Sequence, residues 1–303
     1  MKYQGAGLRN TIGSMSAISR RTFIAQNAAA VPLSHSALAR EPLHASNLGV
    51  QLYTVRDVIT KDPGATLQAI QDIGYTEIEA TYANLDQIWS ALQQTKLKPV
   101  SVHVDLAIFK EGGSRLDSTF AQLKERNFQY VVVPYIPPNE RGGADVFRRL
   151  AEMLNKSGER AKANGLTLCY HNHAFEFAPL EGTTGLGMMM HETQKGLVSL
   201  EMDIFWVSVA GHDPVQLLKT YSGRVALLHL KDKVRGLATQ YNENVPRETF
   251  KEVGNGSIDI PAVLSEANRA GVRHYFVEQD QTPGNPIESL RESYKYLTSF
   301  FKA

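Results

Sequence analysis

The sequence lacks several features that would point to particular protein classes. It has one cysteine, Cys169, so no disulfide can form within the chain. The chain also has no excess of charge of one sign, because it has 32 basic and 31 acidic residues and a net charge of +1. With its basic residues scattered, the chain has no polyanion-binding pattern, and we expect no nucleic acid partner. No uninterrupted apolar run reaches the roughly 18 residues of a membrane helix, so we expect no membrane span in the mature protein.

Acidic residues are also absent from the first 40 positions, which differ in character from the rest. The pair Arg20-Arg21 precedes an alanine-rich, weakly apolar stretch that ends in Ala37-Leu38-Ala39. This order is typical of a twin-arginine export signal. We therefore expect a signal peptide over 1–39, cleavage after Ala39, a linker over 40–46 and a periplasmic protein. A disordered tail with a chance arginine pair is the alternative interpretation.

The chain from Asn47 onward alternates short apolar segments with amphipathic helical patterns. Eight such repeats predict an α/β fold, a (β/α)8 TIM barrel forming one domain over 47–303. A doubly wound open sheet is the competing fold, but the segment after the first strand, 49–57, has no glycine-rich nucleotide loop. Helices should stop at glycine-containing turns such as Ile73-Gly74 and Ala270-Gly271. Strand starts are predicted near residues 48, 75, 99, 129, 166, 198, 225 and 273.

Four successive apolar runs end in residues that can bind metal. Parallel strands of one barrel bring their carboxyl ends to the same rim, so these side chains should converge. Two imidazoles and two carboxylates suit Mn²⁺, Co²⁺, Zn²⁺ or Mg²⁺. A single buried histidine is more often structural, but four strands in a row ending in ligand types favour a metal site. The candidates are His171 or His173, Asp203, His229 and Glu278.

Six segments in order resemble the xylose-isomerase-like TIM-barrel superfamily of sugar phosphate isomerases and epimerases. The resemblance covers about residues 47–303 and implies a barrel with one divalent metal ion bound at the ends of strands five to eight. Asp203, His229 and Glu278 match the ligand pattern directly. In many members the strand-five ligand is a glutamate, at a position that aligns here with His171. The segments are GVQLYTVRD, YHNHAFEF, LEMDIFWVSVAGHDP, HLKD, VGNGSID and VEQD.

The resemblance implies an isomerase or epimerase that abstracts a proton next to a carbonyl and passes through an enediolate. Glu278 is one expected proton-transfer group, and His173 or Glu176 takes the place of the second carboxylate. Lys231 is expected to bind a hydroxyl or stabilise an enolate, with a purely structural ion pair as the alternative. Isomerisation, epimerisation and elimination share the first step. A keto-sugar or cyclitol lyase, dehydratase or hydrolase is therefore the second hypothesis.

Further residues at strand ends are expected to contact a small sugar or keto-sugar. Trp206 lies three positions after Asp203, where an aromatic ring could stack on a sugar, although packing at the barrel rim is an equal alternative. A non-catalytic exported sugar-binding protein is a third hypothesis. An endonuclease IV-like role is disfavoured because Trp206 stands where a further histidine ligand is expected. Barrels of this kind often form homo-oligomers, though nothing in the sequence specifies an interface. The candidate substrate-binding residues are Tyr53, Glu79, His103 and Trp206.

Overall fold

A computed structural model describes residues 47–301, and in it eight parallel strands close into a barrel. The predicted TIM barrel is therefore confirmed, and each strand begins within two residues of its predicted start. The predicted signal peptide and linker lie outside the described residues. The strands are β1 (Leu48–Gln51), β2 (Glu77–Thr81), β3 (Lys98–His103), β4 (Tyr130–Val133), β5 (Thr167–His171), β6 (Val198–Asp203), β7 (Val225–Leu230) and β8 (His274–Val277).

Helices follow the strands and pack around the barrel. None of those in the described range is long and apolar enough to cross a membrane. Two short antiparallel pairs, Pro179–Leu180 with Thr183–Thr184 and Asp232–Lys233 with Phe250–Lys251, lie in the loops after β5 and β7. The helices are α1 (Arg56–Ile59), α2 (Pro63–Ile73), α3 (Leu85–Leu92), α4 (Leu106–Glu111), α5 (Gly113–Glu125), α6 (Ala144–Ala163), α7 (Gly185–Glu192), α8 (Ile204–Val209), α9 (Pro214–Thr220), α10 (Ile260–Ala270) and α11 (Pro286–Phe301).

Local sequence signals explain where α2 begins and ends. Asp62 precedes it and accepts a hydrogen bond from the backbone N–H of Ala65, at 2.9 Å, while Pro63 occupies the first turn. Gly74 ends the helix with φ +118°, a conformation that costs a side-chain-bearing residue far more than glycine. The same devices, an aspartate cap, an early proline and a terminal glycine, bound α10. These signals explain why the predicted helix ends were confirmed.

The space inside the barrel is divided into an apolar and a polar level. Inward-facing side chains near the middle of the strands form a small buried apolar cluster, which we call the apolar layer. Two residues after Cys169, Leu227 and Phe276, the same strand faces present His171, His229 and Glu278, because strand residues alternate between faces. The barrel therefore offers a packed floor under a polar rim. The apolar layer consists of Val100, Tyr130, Val132, Cys169, Leu227 and Phe276.

Candidate metal centre

The four predicted metal ligands converge at the carboxyl ends of β5 to β8. His171 and Asp203 are the last residues of their strands, His229 lies in β7, and Glu278 directly follows β8. Asp203 and His229 are paired in register, so they lie at the same height in the barrel. One potential ligand atom from each of the four residues lies within 4.8 Å of all the others. All four side chains are buried.

Hydrogen bonds hold two of these side chains in place. Asp203 Oδ1 accepts the backbone N–H groups of Phe205 and Trp206 at the start of α8, at 2.8 and 3.0 Å. His229 Nδ1 lies 2.7 Å from Glu278 Oε2, and its Nε2 lies 2.6 Å from Glu79 Oε2. A carboxylate on the far nitrogen of a ligand histidine fixes its tautomer and ring orientation. Glu79 is placed to do this for His229.

Lys231 lies among the carboxylates of the same cluster. Its ammonium is 2.9 Å from Asp203 Oδ2, 2.6 Å from Glu278 Oε2 and 2.8 Å from Asp280 Oδ1. Burial alone would lower the pKa of Lys231, but Asp203, Asp280 and Glu278 together raise it well above its usual value. The lysine is therefore a cation in this structure, and it neutralises the same oxygens that a metal ion would use.

His171, at the end of β5, and His173, in the loop after it, are uncharged. Burial lowers the pKa of His171 well below its usual value, and nearby His229 and His173 lower it further. Burial also lowers the pKa of His173, with Lys231 adding to the effect. A neutral imidazole is the form that binds a metal ion or accepts a proton. Among residues 47–301, His173 Nδ1 has no hydrogen-bond partner.

A cavity of about 490 Å³ opens above the cluster, within the range of small-molecule sites. Seven of the predicted site residues line it, and so do several residues that the sequence did not single out. The predicted residues are Tyr53, His103, His171, His173, Trp206, Lys231 and Glu278. The additional ones include Thr81, Tyr135, Glu243, Phe250 and Asp280.

Four predicted site residues do not line this cavity: Asp203 and His229, which belong to the cluster beneath it, and Glu79 and Glu176. Glu79 is fully buried beneath the histidines, where Ser101 and Gln51 also donate hydrogen bonds to it. Glu176 is also fully buried, and its carboxylate accepts the hydroxyl of Tyr170 at 2.7 Å and the backbone N–H of His173 at 2.9 Å. These contacts place Glu79 behind the candidate ligand His229 and Glu176 behind the loop that carries His173.

The sequence analysis missed two carboxylates near the cluster, Glu201 and Asp280. Glu201 is two residues before Asp203 on β6, and Asp280 is two residues after Glu278. The period of two that places alternate residues on one face of a strand could have identified Glu201. Asp280 lies in a loop, so only the folded structure shows its contact with Lys231.

The residues present suit a divalent ion. Two buried carboxylates and two imidazoles come from four different strands, a donor set that Zn²⁺, Co²⁺ or Mn²⁺ accepts. Asp203 Oδ2 faces the ammonium of Lys231 at 2.9 Å. An ion held by these atoms would share the carboxylates with Lys231, whose third contact, Asp280, lies outside the ligand set.

Comparison with known proteins identifies a family and several proteins that the chain resembles. The family model described as xylose isomerase-like TIM barrel matches residues 67–300. An inosose dehydratase of Clostridium perfringens is 32% identical over 161 residues, which cover 50% of this chain and 54% of that protein. The chain thus matches about half the length of its curated relatives.

Solved structures resemble the chain over more of its length. A sugar phosphate isomerase/epimerase from Parabacteroides distasonis superposes with a TM-score of 0.70 at 21% identity, covering 86% of this chain and 98% of that one. The IolI protein with a bound zinc atom gives a TM-score of 0.65 at 14% identity, covering 84% and 98%. At such identities these likenesses establish the fold.

Proposed function

Because this chain belongs to the xylose isomerase-like TIM barrel family, we propose that it is a divalent-metal-dependent lyase. In this proposal it eliminates water or an alcohol from a keto-sugar or keto-cyclitol after proton abstraction next to the carbonyl. The observation that carries the proposal is the contact of Lys231 with Glu278 inside a convergent ligand set. The inosose dehydratases among the relatives support the lyase class over the isomerase class that the sequence alone favoured.

His171, Asp203, His229 and Glu278 are the residues that would hold the ion. When bound, such an ion polarises a substrate carbonyl and makes the neighbouring C–H bond more acidic. The chain's own residues then have to accept one proton and donate another. An elimination needs both, since the leaving oxygen departs as water or as an alcohol.

Glu278 and Lys231 form a pair suited to this exchange. Burial alone would raise the pKa of Glu278, but Lys231 and His229 hold it below its usual value, so the carboxylate is ionised and can accept the proton. Lys231 is protonated before the reaction, and it can donate this proton to the leaving oxygen as the carbon–oxygen bond breaks. Their separation of 2.6 Å then lets Glu278 return its proton to Lys231. The pair is thereby reset without net uptake or release of protons.

An isomerase or epimerase is the second candidate, and one observation favours it. His173 is a neutral imidazole on the cavity wall, with a ring nitrogen that has no hydrogen-bond partner among residues 47–301. Such a group could accept or return a proton at the substrate carbon. Isomerisation and epimerisation would then keep all atoms of the sugar, whereas elimination would release water or an alcohol.

The test is incubation of the metal-loaded protein with a keto-inositol and with keto-glucosides in deuterated water, followed by mass spectrometry. The lyase proposal expects loss of water or of the aglycone, and chelation should abolish it. Deuterium incorporation without loss of water or of the aglycone would favour the isomerase or epimerase. Saturable sugar binding that persists after chelation, with neither exchange nor release, would favour the sugar-binding protein and overturn both enzyme proposals.

We also propose that the protein acts after export through the twin-arginine pathway. The support is the Arg20-Arg21 pair followed by an alanine-rich stretch. In a bacterial host, replacing both arginines by lysine should retain the protein in the cytoplasm, while the unaltered chain appears in the periplasm. Equal periplasmic amounts of the two forms would overturn this proposal.

A further inference from the structure

We propose a second binding position for a divalent transition metal ion, one level deeper in the barrel than the centre described above. His103, His171, Glu201 and His229 offer ligand atoms that all lie within 4.8 Å of one another. Glu201 lies two residues before Asp203 on the same face of β6 and is paired in register with His171. We call this set the deep site and the set containing Asp203 and Glu278 the rim site.

Both shared histidines present one nitrogen to each site. His171 Nε2 lies 3.7 Å from Asp203 Oδ2, and its Nδ1 lies 3.1 Å from Glu201 Oε2. His229 Nδ1 lies 2.7 Å from Glu278 Oε2, and its Nε2 lies 3.4 Å from Glu201 Oε2. A neutral imidazole has one free nitrogen lone pair, so each ring can serve one ion at a time. The two sites are therefore alternative positions for a single ion.

The carboxylates of the deep level contact histidines and not Lys231. Glu79 and Glu201 are fully buried, and their recorded ion pairs within residues 47–301 are with histidines alone. Glu201 Oε1 has no hydrogen-bond partner in that part of the chain. Buried carboxylates are costly unless they are paired or bind a metal ion. A divalent cation beside Glu201 would replace histidine protons as the counter-charge and would give Oε1 a partner.

The donor set also indicates which ions the deep site would take. Three imidazoles and one carboxylate suit Zn²⁺, Co²⁺ or Fe²⁺, whereas Mg²⁺ prefers oxygen ligands and retained water. The rim site offers two carboxylates and two imidazoles and so tolerates harder ions. Glu79 Oε2 lies 2.6 Å from His229 Nε2 and 3.1 Å from His103 Nε2. It therefore offers one more oxygen next to the deep site.

The test is titration of the purified full-length chain with Co²⁺ alone, without substrate, using visible absorption and metal analysis. The wild-type chain should bind one ion. A rim-site double variant, Asp203→Asn with Glu278→Gln, should still bind one ion, with an altered absorption spectrum. Adding His103→Gln or Glu201→Gln to that variant should then weaken binding by more than the roughly 10–100-fold that loss of an outer-shell partner costs. Circular dichroism checks that each variant is folded.

The outcomes decide the proposal clearly. If the folded rim-site variant binds no Co²⁺, the deep site does not exist. If it binds Co²⁺ but His103→Gln and Glu201→Gln change nothing, the ion lies elsewhere and the deep site is again overturned. Two ions bound by the wild-type chain would overturn the alternative occupancy. Because no substrate is present, failure here leaves the proposed reaction untouched, and failure of the reaction leaves this binding test valid.

Discussion

Two levels of the barrel interior, only two residues apart along the same strands, have opposite chemistry. In β5, β7 and at the end of β8, the apolar layer contributes Cys169, Leu227 and Phe276. Two positions later the same strands present His171, His229 and Glu278. Both levels are buried, so exposure to solvent does not separate them. The comparison shows that adjacent layers of one strand face can have different tasks. The apolar layer stabilises the fold through burial, whereas the ionisable layer carries groups for chemistry, which must be paired when they are buried.

The largest expected effect concerns the same substitution made at two levels. Glu278→Gln removes the proton acceptor of the rim, and we expect kcat to fall by about 10²–10⁴-fold, the usual contribution of a general base. Glu77→Gln is the matched control, since Glu77 is a buried glutamate on β2 that contacts His274 at 2.7 Å near the start of β8. Steady-state kinetics on the keto-substrate should find kcat for Glu77→Gln near the wild-type value. Equal losses in the two variants would contradict the division into layers.

Shortening a side chain of the apolar layer should lower the stability of the fold rather than kcat. Phe276 is fully buried and lies beneath His229, with ring centroids 6.2 Å apart. Phe276→Ala should lower the free energy of unfolding by about 3–5 kcal/mol, as large-to-small core substitutions do. Phe300→Ala, at a 39% exposed position of α11, is the control and should change it little. Denaturant unfolding measures both, and similar values for the two variants would refute a packed floor.

A metal ion should stabilise the fold through the polar level alone. An ion bound only by the folded chain adds about 2.7 kcal/mol at a concentration 100 times its Kd. We expect chelation to lower the Tm of the wild-type protein and of Phe276→Ala by similar amounts. A quadruple variant lacking His103, Asp203, Glu201 and Glu278 as ligands should show no metal-dependent change in Tm. If that variant still showed a metal-dependent change in Tm, the ion would have to bind away from the barrel rim.

The pH dependence of stability distinguishes buried carboxylates that contact cations from Glu176, which accepts hydrogen bonds from Tyr170 and His173. Burial raises the pKa of Glu176 to about 8, although Tyr170 and the N–H of His173 donate hydrogen bonds to it. The folded chain then retains a proton that the unfolded chain releases near its ordinary pKa of 4.5. This contribution to stability is complete below pH 4.5 and is lost as the pH rises to 8, by at most about 1.4 kcal/mol per pH unit. Glu176→Gln should flatten that slope.

Unfolding curves of wild type and Glu176→Gln between pH 5 and pH 8 provide the measurement. The wild-type protein should lose stability relative to the variant as the pH rises. Parallel curves would show that Glu176 is ionised throughout and that its two hydrogen-bond donors outweigh its desolvation. The rim carboxylates differ because Lys231 and His229 contact Glu278 directly.

Most of the fold could be predicted from periodicity and turn chemistry. Strand starts, the glycine ends of α2 and α10 and the single-domain barrel follow from local patterns that depend on near neighbours in sequence. The convergence of the four candidate ligands was also predictable, because residues that end parallel strands meet at one rim. Glu201 obeys the same period of two, yet it stands inside an apolar run and was overlooked.

The sequence by itself determined which side chains end the strands and which face of each strand they occupy, because both depend on local geometry. Only the tertiary structure decided that Lys231 contacts Asp203 and Asp280, that Glu79 supports His229 from β2, and that Glu176 turns away from the cavity. These contacts join residues 28 to 150 positions apart or depend on loop paths, and no local pattern encodes such distances. Barrel closure sets them, since it brings β2, β6 and β7 around one lumen.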